Sequence, residues 1–245
     1  MNDKQYIYGI NPAIELLRAG KRKIFRVLVS KPGRAPRFGE ITGSAAKLDV
    51  PVLTVSDGEL DALAKGGNHQ GVALEVEVPQ MLSLDEALAA EKDFKNAVWI
   101  GVDGITDPMN LGAMLRSAAC LGASAAVLPE RRTAGLTPTV QKTASGAVES
   151  LNIVSVVNLN QTILTLKKKG FWIYGADMKG KPLNEAKFSG AVFLIIGSEG
   201  EGLHQKTMEH CDELVCVPQK GGVESMNASA ACAVILYEIL RQKKP

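Results

Sequence analysis

The loop GSEGEG, residues 197–202, is the first of three segments whose residue types are suited to ligand chemistry. Its glycines allow the backbone to approach a ligand closely. Its order is G-x-x-G-x-G rather than the dinucleotide pattern G-x-G-x-x-G, and the chain contains no phosphate-binding G-x-x-x-x-G-K-[ST]. Glu199 and Glu201 would repel a pyrophosphate. The loop therefore favours a ligand without phosphate, carrying hydroxyls or positive charge; the simpler alternative is a solvated surface turn.

The segment DGITDPMNLGAMLRSA, residues 103–118, is the second. Asn110 stands where a helix N-cap belongs, and capping is its simplest interpretation. Arg116 lies off the apolar stripe of the same predicted helix, as a solvated surface arginine does. In the functional alternative both residues lie at the mouth of the 103–110 loop. Arg116 would there hold an RNA phosphate bidentately, and Asn110 would bind a ribose or order a neighbouring side chain.

The third segment is VPQKGGVESMNASAA, residues 217–231. Its glycine pair predicts a bend, and Ser225 and Asn227 flank the start of the last predicted helix. Helix capping by either residue is the simpler interpretation. The functional alternative is that exposed backbone N–H groups at this helix start contact a small ligand.

Short apolar strands alternate with helical patterns along the chain, which predicts a layered α/β fold. A small module over residues 1–78 is followed by a linker with a short helix over 79–96. The pattern restarts in a larger domain over 97–245. Ligands of open α/β sheets bind outside the carboxyl ends of strands. The three polar segments each follow a predicted strand, so we expect them at one edge of a sheet.

The charge of the chain is nearly balanced, with 28 Lys and Arg against 26 Asp and Glu. This excludes a polycation that coats nucleic acid, but not a local basic patch. Residues 18–37 contain eight basic side chains and no acidic one: Arg18, Lys21, Arg22, Lys23, Arg26, Lys31, Arg34 and Arg37. Such a run is either a solvated face or a surface that contacts RNA phosphates.

Other classes of site are disfavoured. The cysteines form no CxxC pair, so we expect most of them to be reduced core residues: Cys120, Cys211, Cys216 and Cys232. The three histidines, His69, His204 and His210, lack metal-binding spacing, and we expect no metal site. The chain has neither an apolar run of about 18 residues nor a signal-like N-terminus, which predicts a cytoplasmic protein.

Together the three segments resemble the motifs of the SpoU branch of the SPOUT RNA 2′-O-ribose methyltransferases. The matching stretches are DPMNLGAMLRSA (107–118), IIGSEGEGL (195–203) and VPQKGGVESMNASAA (217–231). At the front, YGINPAIELL (8–17) and NHQGVALEV (68–76) resemble the substrate-binding domain of members that modify a guanosine ribose in 23S ribosomal RNA.

The resemblance implies a fold, a reaction and partners. The C-terminal α/β SPOUT domain would contain a deep trefoil knot, and the front domain would be a small α/β RNA-binding module similar to small ribosomal proteins. The enzyme would transfer a methyl group from S-adenosyl-L-methionine to a ribose 2′-hydroxyl of ribosomal RNA. It would act as a homodimer through the catalytic domain, with the active site at the dimer interface.

The resemblance also implies roles for individual residues. The catalytic set would be Arg116, Asn110, Glu199, Ser225 and Asn227. The cofactor-binding set would be Gly175, Ile196, Gly197, Gly200, Val217, Ser225 and Met226. The RNA-binding set would be Arg18, Lys21, Arg22, Lys23, Arg26 and His69. Motif three reads Ser-Met-Asn where the family commonly has Ser-Leu-Asn, a volume-conserving change that we expect to be tolerated.

Three alternatives remain beside this prediction. A tRNA ribose methyltransferase of the same branch is the first, although those enzymes often have a shorter front module. A non-catalytic RNA-binding factor of the same fold, acting in assembly or resistance, is the second; the presence of Arg116, Asn110 and Glu199 favours the enzyme. A nucleotide-dependent oxidoreductase is disfavoured because its glycine fingerprint is missing. Arg116 is either the base or a group that holds phosphate and stabilises an alkoxide.

Overall fold

The computed structural model describes residues 4–30, 37–221 and 225–243. The chain forms two compact units, one of Met1–Gln80 with Leu136–Ser150 and one of Met81–Gly135 with Leu151–Pro245. Both units combine helices with a β-sheet, and the predicted α/β class is confirmed. Within the described residues, no helix is long and apolar enough to cross a membrane.

The first unit is built on a four-stranded sheet of order β1-β4-β2-β3. Strand β4 is antiparallel to β1 and β2, and β3 is parallel to β2. Helix α1 ends at Gly20, whose left-handed backbone (φ 59°) suits a glycine. The elements are β1 (Lys4–Tyr8), α1 (Ile10–Ala19), β2 (Ile24–Val29), α2 (Phe38–Lys47), β3 (Val52–Thr54), α3 (Asp57–Ala64), β4 (Val72–Glu77), α6 (Pro138–Ala144) and α7 (Ala147–Ser150).

The second unit contains a six-stranded sheet of order β10-β8-β9-β5-β6-β7 whose neighbouring strands are all parallel. Its central strand β9 is buried along its whole length, as a strand covered by helices on both faces must be. The elements are α4 (Leu84–Ala90), β5 (Val98–Asp103), α5 (Pro108–Cys120), β6 (Ala125–Pro129), β7 (Asn152–Val156), α8 (Leu159–Lys168), β8 (Phe171–Pro182), β9 (Ala191–Gly197), α9 (Gln205–His210), β10 (Glu213–Cys216) and α10 (Ala228–Lys243).

The segment 79–96, predicted as a linker, contributes to the core of the second unit. Ala87 of α4 is fully buried. The Glu91 carboxylate accepts hydrogen bonds from the Trp99 indole at 2.7 Å and the Ser124 hydroxyl at 2.5 Å. Burial raises the pKa of Glu91, but these hydrogen bonds to the charged form outweigh it, so the pKa lies below its usual range. The segment is therefore held against the sheet.

The segment 136–150 lies in the predicted catalytic range but packs within the first unit. Its Glu149 forms an ion pair with Arg22, with Oε1 and guanidinium nitrogen 2.5 Å apart and both side chains buried. Gln141 exchanges side-chain hydrogen bonds with Gln5 at 3.1 Å. The hydrophobic pattern does not reveal this assignment, because it depends on polar contacts between distant parts of the chain.

All four cysteines are free thiols, in agreement with the prediction, but their burial varies. Cys232 is buried, Cys211 and Cys216 are half-buried, and Cys120 is exposed. Burial raises the pKa of Cys232 and of Cys211 to about 12. The expectation that most of them are core residues holds fully for Cys232 alone.

Candidate active site

Three polar side chains, Asn110, Glu199 and Asn227, meet in the second unit. The Asn110 amide donates to Oε1 of Glu199 at 3.0 Å. The Asn227 amide donates to Oδ1 of Asn110 at 2.9 Å, and also to Oε1 of Glu199. One carboxylate oxygen of Glu199 thus accepts hydrogen bonds from two side-chain amides, and the two asparagines are hydrogen-bonded to each other. We call these three residues the amide–carboxylate cluster.

The sheet explains why the cluster forms. Strands β5 and β9 are neighbours in parallel register, with Asp103 opposite Gly197 at their carboxyl ends. The chain leaving β5 begins α5 and carries Asn110, while the chain leaving β9 carries Glu199. The start of α10 supplies Asn227. The sequence-based expectation that these loops lie at one sheet edge agrees with this geometry.

The N-cap of α5 is Asp107, not Asn110 as expected from the sequence. The Asp107 carboxylate accepts from the backbone N–H of Met109 at 3.3 Å and of Asn110 at 2.9 Å. Pro108 follows at the first helical position, where its fixed φ is suited and its missing N–H costs nothing. The capping role of Asp107 leaves the Asn110 side chain available for the amide–carboxylate cluster.

Asn227 caps α10, which was the simpler interpretation of the sequence, and its side-chain amide also joins the cluster. Its Oδ1 accepts from the backbone N–H groups of Ser229 at 2.9 Å and Ala230 at 3.2 Å, which caps α10. Its amide nitrogen donates into the cluster. The helix start and the cluster therefore depend on opposite ends of one side chain. Ser225 and Met226, immediately before it, are exposed.

Arg116 is not joined to the cluster within the described chain. It is exposed on α5, and it forms no hydrogen bond or ion pair with the described residues. It follows Asn110 by six positions, which at 3.6 residues per turn directs the two side chains about 120° apart around the helix. A single copy of the chain therefore does not bring Arg116 to Glu199.

The predicted cofactor residues lie on β8, at the end of β9 and in the segments that follow β9 and β10. Gly175 of β8 is paired with Ile195 of β9 and Leu214 of β10. A Cβ on Gly175 would lie 2.7 Å from Leu203 and 2.8 Å from the Cys211 sulfur, and a Cβ on Gly197 would lie 2.1 Å from the Gly202 backbone. Glycine is required at both positions. Of the other five members, Ile196 is buried, Val217 is half-buried, and Gly200 has open space around it, while Ser225 and Met226 are exposed.

The thiols on this side of the sheet are not nucleophiles. Burial raises the pKa of Cys211 to about 12, and burial with the neighbouring carboxylates Asp177 and Glu185 raises the pKa of Cys216. Both thiols are therefore protonated at neutral pH. Burial also raises the pKa of Tyr174 to about 12. Among the residues described, no group of three or more His, Cys, Asp or Glu is arranged to hold a metal ion.

A cleft of about 370 Å³ opens beside the cluster at the carboxyl ends of β5 and β6. Sequence analysis did not identify it. The His204 imidazole Nδ1 lies 2.8 Å from Asp103 Oδ1, and its backbone N–H donates to Asp103 Oδ2 at 3.0 Å. The available signal was the Arg-Arg pair directly after a predicted strand. The polar lining consists of Asp103, Arg131, Arg132, Asn160, His204, Gln205, Lys206 and Thr207.

The basic stretch of the first unit is largely paired with glutamates. Arg18 contacts Glu40 at 2.7 Å, and Arg26 contacts Glu75 at 2.6 Å. The hydrogen bonds that Arg26 donates to Tyr6 and Glu75 raise its pKa. Arg37 pairs with Glu40 at 2.8 Å. Lys31 and Arg34 lie outside the described residues.

Arg22 was predicted to bind RNA, but its guanidinium is buried against Glu149, Gln141 and the Glu77 carbonyl. A guanidinium held by these partners cannot reach a phosphate, so its role is structural. His69 Nε2 lies 3.1 Å from Asp61, and its Nδ1 accepts from the Gly71 backbone at 3.0 Å. The exposed members of the predicted set include Lys21 and Lys23, the latter above the Phe25 ring at 5.2 Å.

The comparisons with known proteins agree with this geometry. A model of the SpoU rRNA Methylase family matches residues 97–237, more than half of the chain. The chain belongs to the SpoU rRNA methylase family. Residues 6–82 of this SpoU methylase match a second model, described as RNA 2′-O ribose methyltransferase substrate binding. Both matched regions agree with the segments that carried the resemblance.

Individual relatives extend the match to the whole chain. This SpoU methylase is 37% identical to the 23S rRNA (guanosine-2′-O-)-methyltransferase RlmB of Pseudomonas putida, covering 100% of this chain and 99% of that protein. It is 40% identical to an uncharacterized tRNA/rRNA methyltransferase of Synechocystis. That match covers 97% of this chain and 62% of the length of the Synechocystis protein. The SpoU methyltransferase AviRb of Streptomyces viridochromogenes, solved with AdoMet, has the same fold, with a TM-score of 0.81, 22% identity and 98% and 91% of the two chains covered.

Proposed function

We propose that this SpoU methylase transfers a methyl group from S-adenosyl-L-methionine to the 2′-hydroxyl of a guanosine in 23S ribosomal RNA. The observation that carries the proposal is the amide–carboxylate cluster, where three distant motif residues meet at a parallel sheet edge in a chain of this family. The full-length match to RlmB of Pseudomonas putida supports ribosomal RNA as the substrate and the cytoplasm as the location.

The residues at the strand ends are suited to S-adenosylmethionine, which supplies an electrophilic methyl group on a sulfonium. Gly200 has open space around it for an approaching ligand, whereas Gly175 and Gly197 allow Leu203, Cys211 and the Gly202 backbone to pack closely against the strands. The nearby charges are the carboxylates Glu199 and Glu201, with no phosphate-binding loop. A zwitterionic ligand without phosphate suits these residues, together with Ile196, Val217, Ser225 and Met226.

The cluster acts on the substrate by positioning. Methyl transfer needs the ribose oxygen in line with the bond that breaks, so restricting its orientation contributes much of the rate. Glu199 holds the two amides, which ties the start of α5 to the start of α10. Asn110 and Asn227 then present a fixed surface for the ribose, with Ser225 beside them.

Arg116 stabilises negative charge on the substrate RNA. A guanidinium stays protonated in proteins and is a poor base, but it binds phosphate through two parallel hydrogen bonds and stabilises a developing alkoxide. We assign Arg116 this second role, in which it holds the phosphate next to the target ribose. The 2′-hydroxyl would give its proton to solvent water as the oxygen–carbon bond forms and the carbon–sulfur bond breaks. The exposure of Arg116 leaves its guanidinium available to an external ligand.

The active enzyme is a homodimer in this proposal, and its C-terminal chain forms the trefoil knot implied by the family. Tyr237 and Val234 are 59% and 39% exposed and lie three residues apart on α10, so they share one apolar face. Helix α10 packs along α5, which carries Arg116. A second copy docked on α10 would bring its own Arg116 close to this cluster, which a single chain does not do.

The first unit, with the predicted domain 1–78 at its centre, is the RNA-binding module. The buried pair Arg22–Glu149 supports its structure, while exposed Lys21 and Lys23 remain for phosphate contact. Contacts of this kind position the RNA, and the shape of the folded RNA supplies recognition.

The test is methyl transfer with labelled S-adenosylmethionine to 23S ribosomal RNA or tRNA from a strain that lacks the enzyme. We expect label in 23S ribosomal RNA, at one guanosine whose 3′ phosphodiester resists alkaline cleavage because its 2′-oxygen is blocked. Glu199→Ala is the inactive control. Label in tRNA alone would support the tRNA alternative, and label on a base, or none, would contradict ribose methylation.

A further inference from the structure

The cleft beside the amide–carboxylate cluster contains cations that have no structural role. Arg131, Arg132 and Lys206 are exposed along it, and none forms a hydrogen bond or ion pair within residues 4–30, 37–221 and 225–243. Arg18 and Arg241, by contrast, are each held by a glutamate at 2.6–2.7 Å. Three unpaired cations on one cleft repel each other unless an anion joins them.

The carboxylate that lines the cleft does not neutralise them. Asp103 is buried, and both of its oxygens are engaged by the backbone N–H and the imidazole of His204. The neighbouring Glu130 is outside the lining and accepts from the Ser155 hydroxyl at 3.5 Å. Since three cations face this one buried carboxylate, the lining of the cleft carries a net positive charge.

The cleft adjoins the amide–carboxylate cluster through two short stretches of chain. Asp103 ends β5, and seven residues later the same strand exit reaches Asn110. Gly197, paired with Asp103 across the sheet, begins the loop that carries Glu199 and reaches His204. One extended ligand can therefore lie across both sites.

We infer that this cleft binds the phosphodiester backbone of the substrate RNA beside the target ribose, an inference that rests on the proposed function. The phosphates would lie against Arg131, Arg132 and Lys206. A guanidinium fork matches two phosphate oxygens, and lysine adds a point charge. The chain has no glycine-rich phosphate loop, so the phosphates are met by side chains, as in most protein contacts with nucleic-acid backbones.

The experiment compares Arg131→Gln/Arg132→Gln with Lys168→Gln/Lys169→Gln, which removes two exposed cations elsewhere in the same unit. A single Lys206→Gln variant tests the third cation. Binding of a fluorescent 23S RNA fragment is measured over a salt series, with KM for RNA from methyl transfer and cofactor affinity from calorimetry.

We expect the arginine double variant to bind RNA at least about tenfold more weakly at low salt, with the slope of log K against log salt reduced by about 1–2. Lys206→Gln is expected to weaken RNA binding as well, but by a smaller factor. The lysine control stays within about twofold of the wild type, and cofactor affinity is unchanged in all variants.

Two results would overturn the inference. If the arginine double variant and the lysine control have the same RNA affinity and the same dependence of affinity on salt, the cleft is not a phosphate site. A loss of cofactor affinity would assign the cleft to the cofactor instead. If the wild type methylates 23S RNA in either case, the proposed function stands and only the cleft assignment fails. If the wild type methylates no RNA, the proposed function fails on that result, and the RNA-binding series still decides the cleft.

Discussion

The amide of Asn227 donates a hydrogen bond to Oδ1 of Asn110 at 2.9 Å, although the two residues are 117 positions apart. The other end of the Asn227 side chain caps α10. One residue thus connects helix α10 to the first turn of α5, the helix that follows β5. A defect in the cluster and a defect in the helix start are therefore separable by substitution.

Asn227→Ser is expected to keep the cap and remove the amide, because serine caps helices about as well as asparagine. Methyl transfer falls at least about tenfold, since two hydrogen bonds of the cluster are lost, one of them to a carboxylate. Asn227→Ala loses the cap as well and is less stable by about 1 kcal/mol. Single-turnover rates and thermal unfolding measure the two effects. An Asn227→Ser enzyme with full activity would contradict the role of the cluster.

Tyr237→Glu is expected to convert the proposed dimer to a monomer, because a carboxylate would be desolvated on the apolar face of α10. Light scattering measures the molecular mass of the variant. We expect the methyl-transfer rate to fall when the dimer is lost, although the amide–carboxylate cluster within each chain is intact. Leu164→Glu is the matched control, since Leu164 is an exposed apolar residue on α8 of the same unit. An active monomer would refute the requirement for a dimer.

Homodimers of Arg116→Ala and homodimers of Glu199→Ala are each expected to be inactive in methyl transfer. A mixed dimer, with one Arg116→Ala chain and one Glu199→Ala chain, is expected to regain about half of the wild-type rate. The reason is that a complete site would take Arg116 from one chain and Glu199 from the other, so the mixed dimer has one complete site. Differently tagged chains, purified in tandem, supply the mixed dimer. If Arg116 acts within its own chain, the mixed dimer has no complete site and stays inactive.

Arg22→Ala is expected to destabilise the first unit by about 3–5 kcal/mol, because it leaves the buried Glu149 carboxylate without its partner. Arg18→Ala, which removes a half-exposed ion pair, costs about 1 kcal/mol or less. Calorimetry and hydrogen exchange over residues 136–150 measure the difference. Arg22→Met/Glu149→Leu recovers much of the stability, and a double variant that remains as unstable as Arg22→Ala would show that the charge pair is not the cause.

Much of the fold was predictable from residue patterns. The alternation of apolar strands and helices indicated the α/β class, and both units combine a β-sheet with helices. The cap of α5 was misplaced because Asn110 is itself a good cap residue, and Asp107 with Pro108 is the stronger signal.

The sequence by itself determined the residue types of the site: three strand-end loops with Asn110, Glu199 and Asn227, the glycines between them, and the absence of a phosphate loop. Only the tertiary structure decided which side chains meet, because hydrogen bonds between residues about 90 to 117 positions apart depend on strand order. It also removed Arg22 from the RNA-binding set and revealed the Asp103–His204 cleft. A charged residue has the same letter whether it is paired or free, and only the positions of its neighbours distinguish the two.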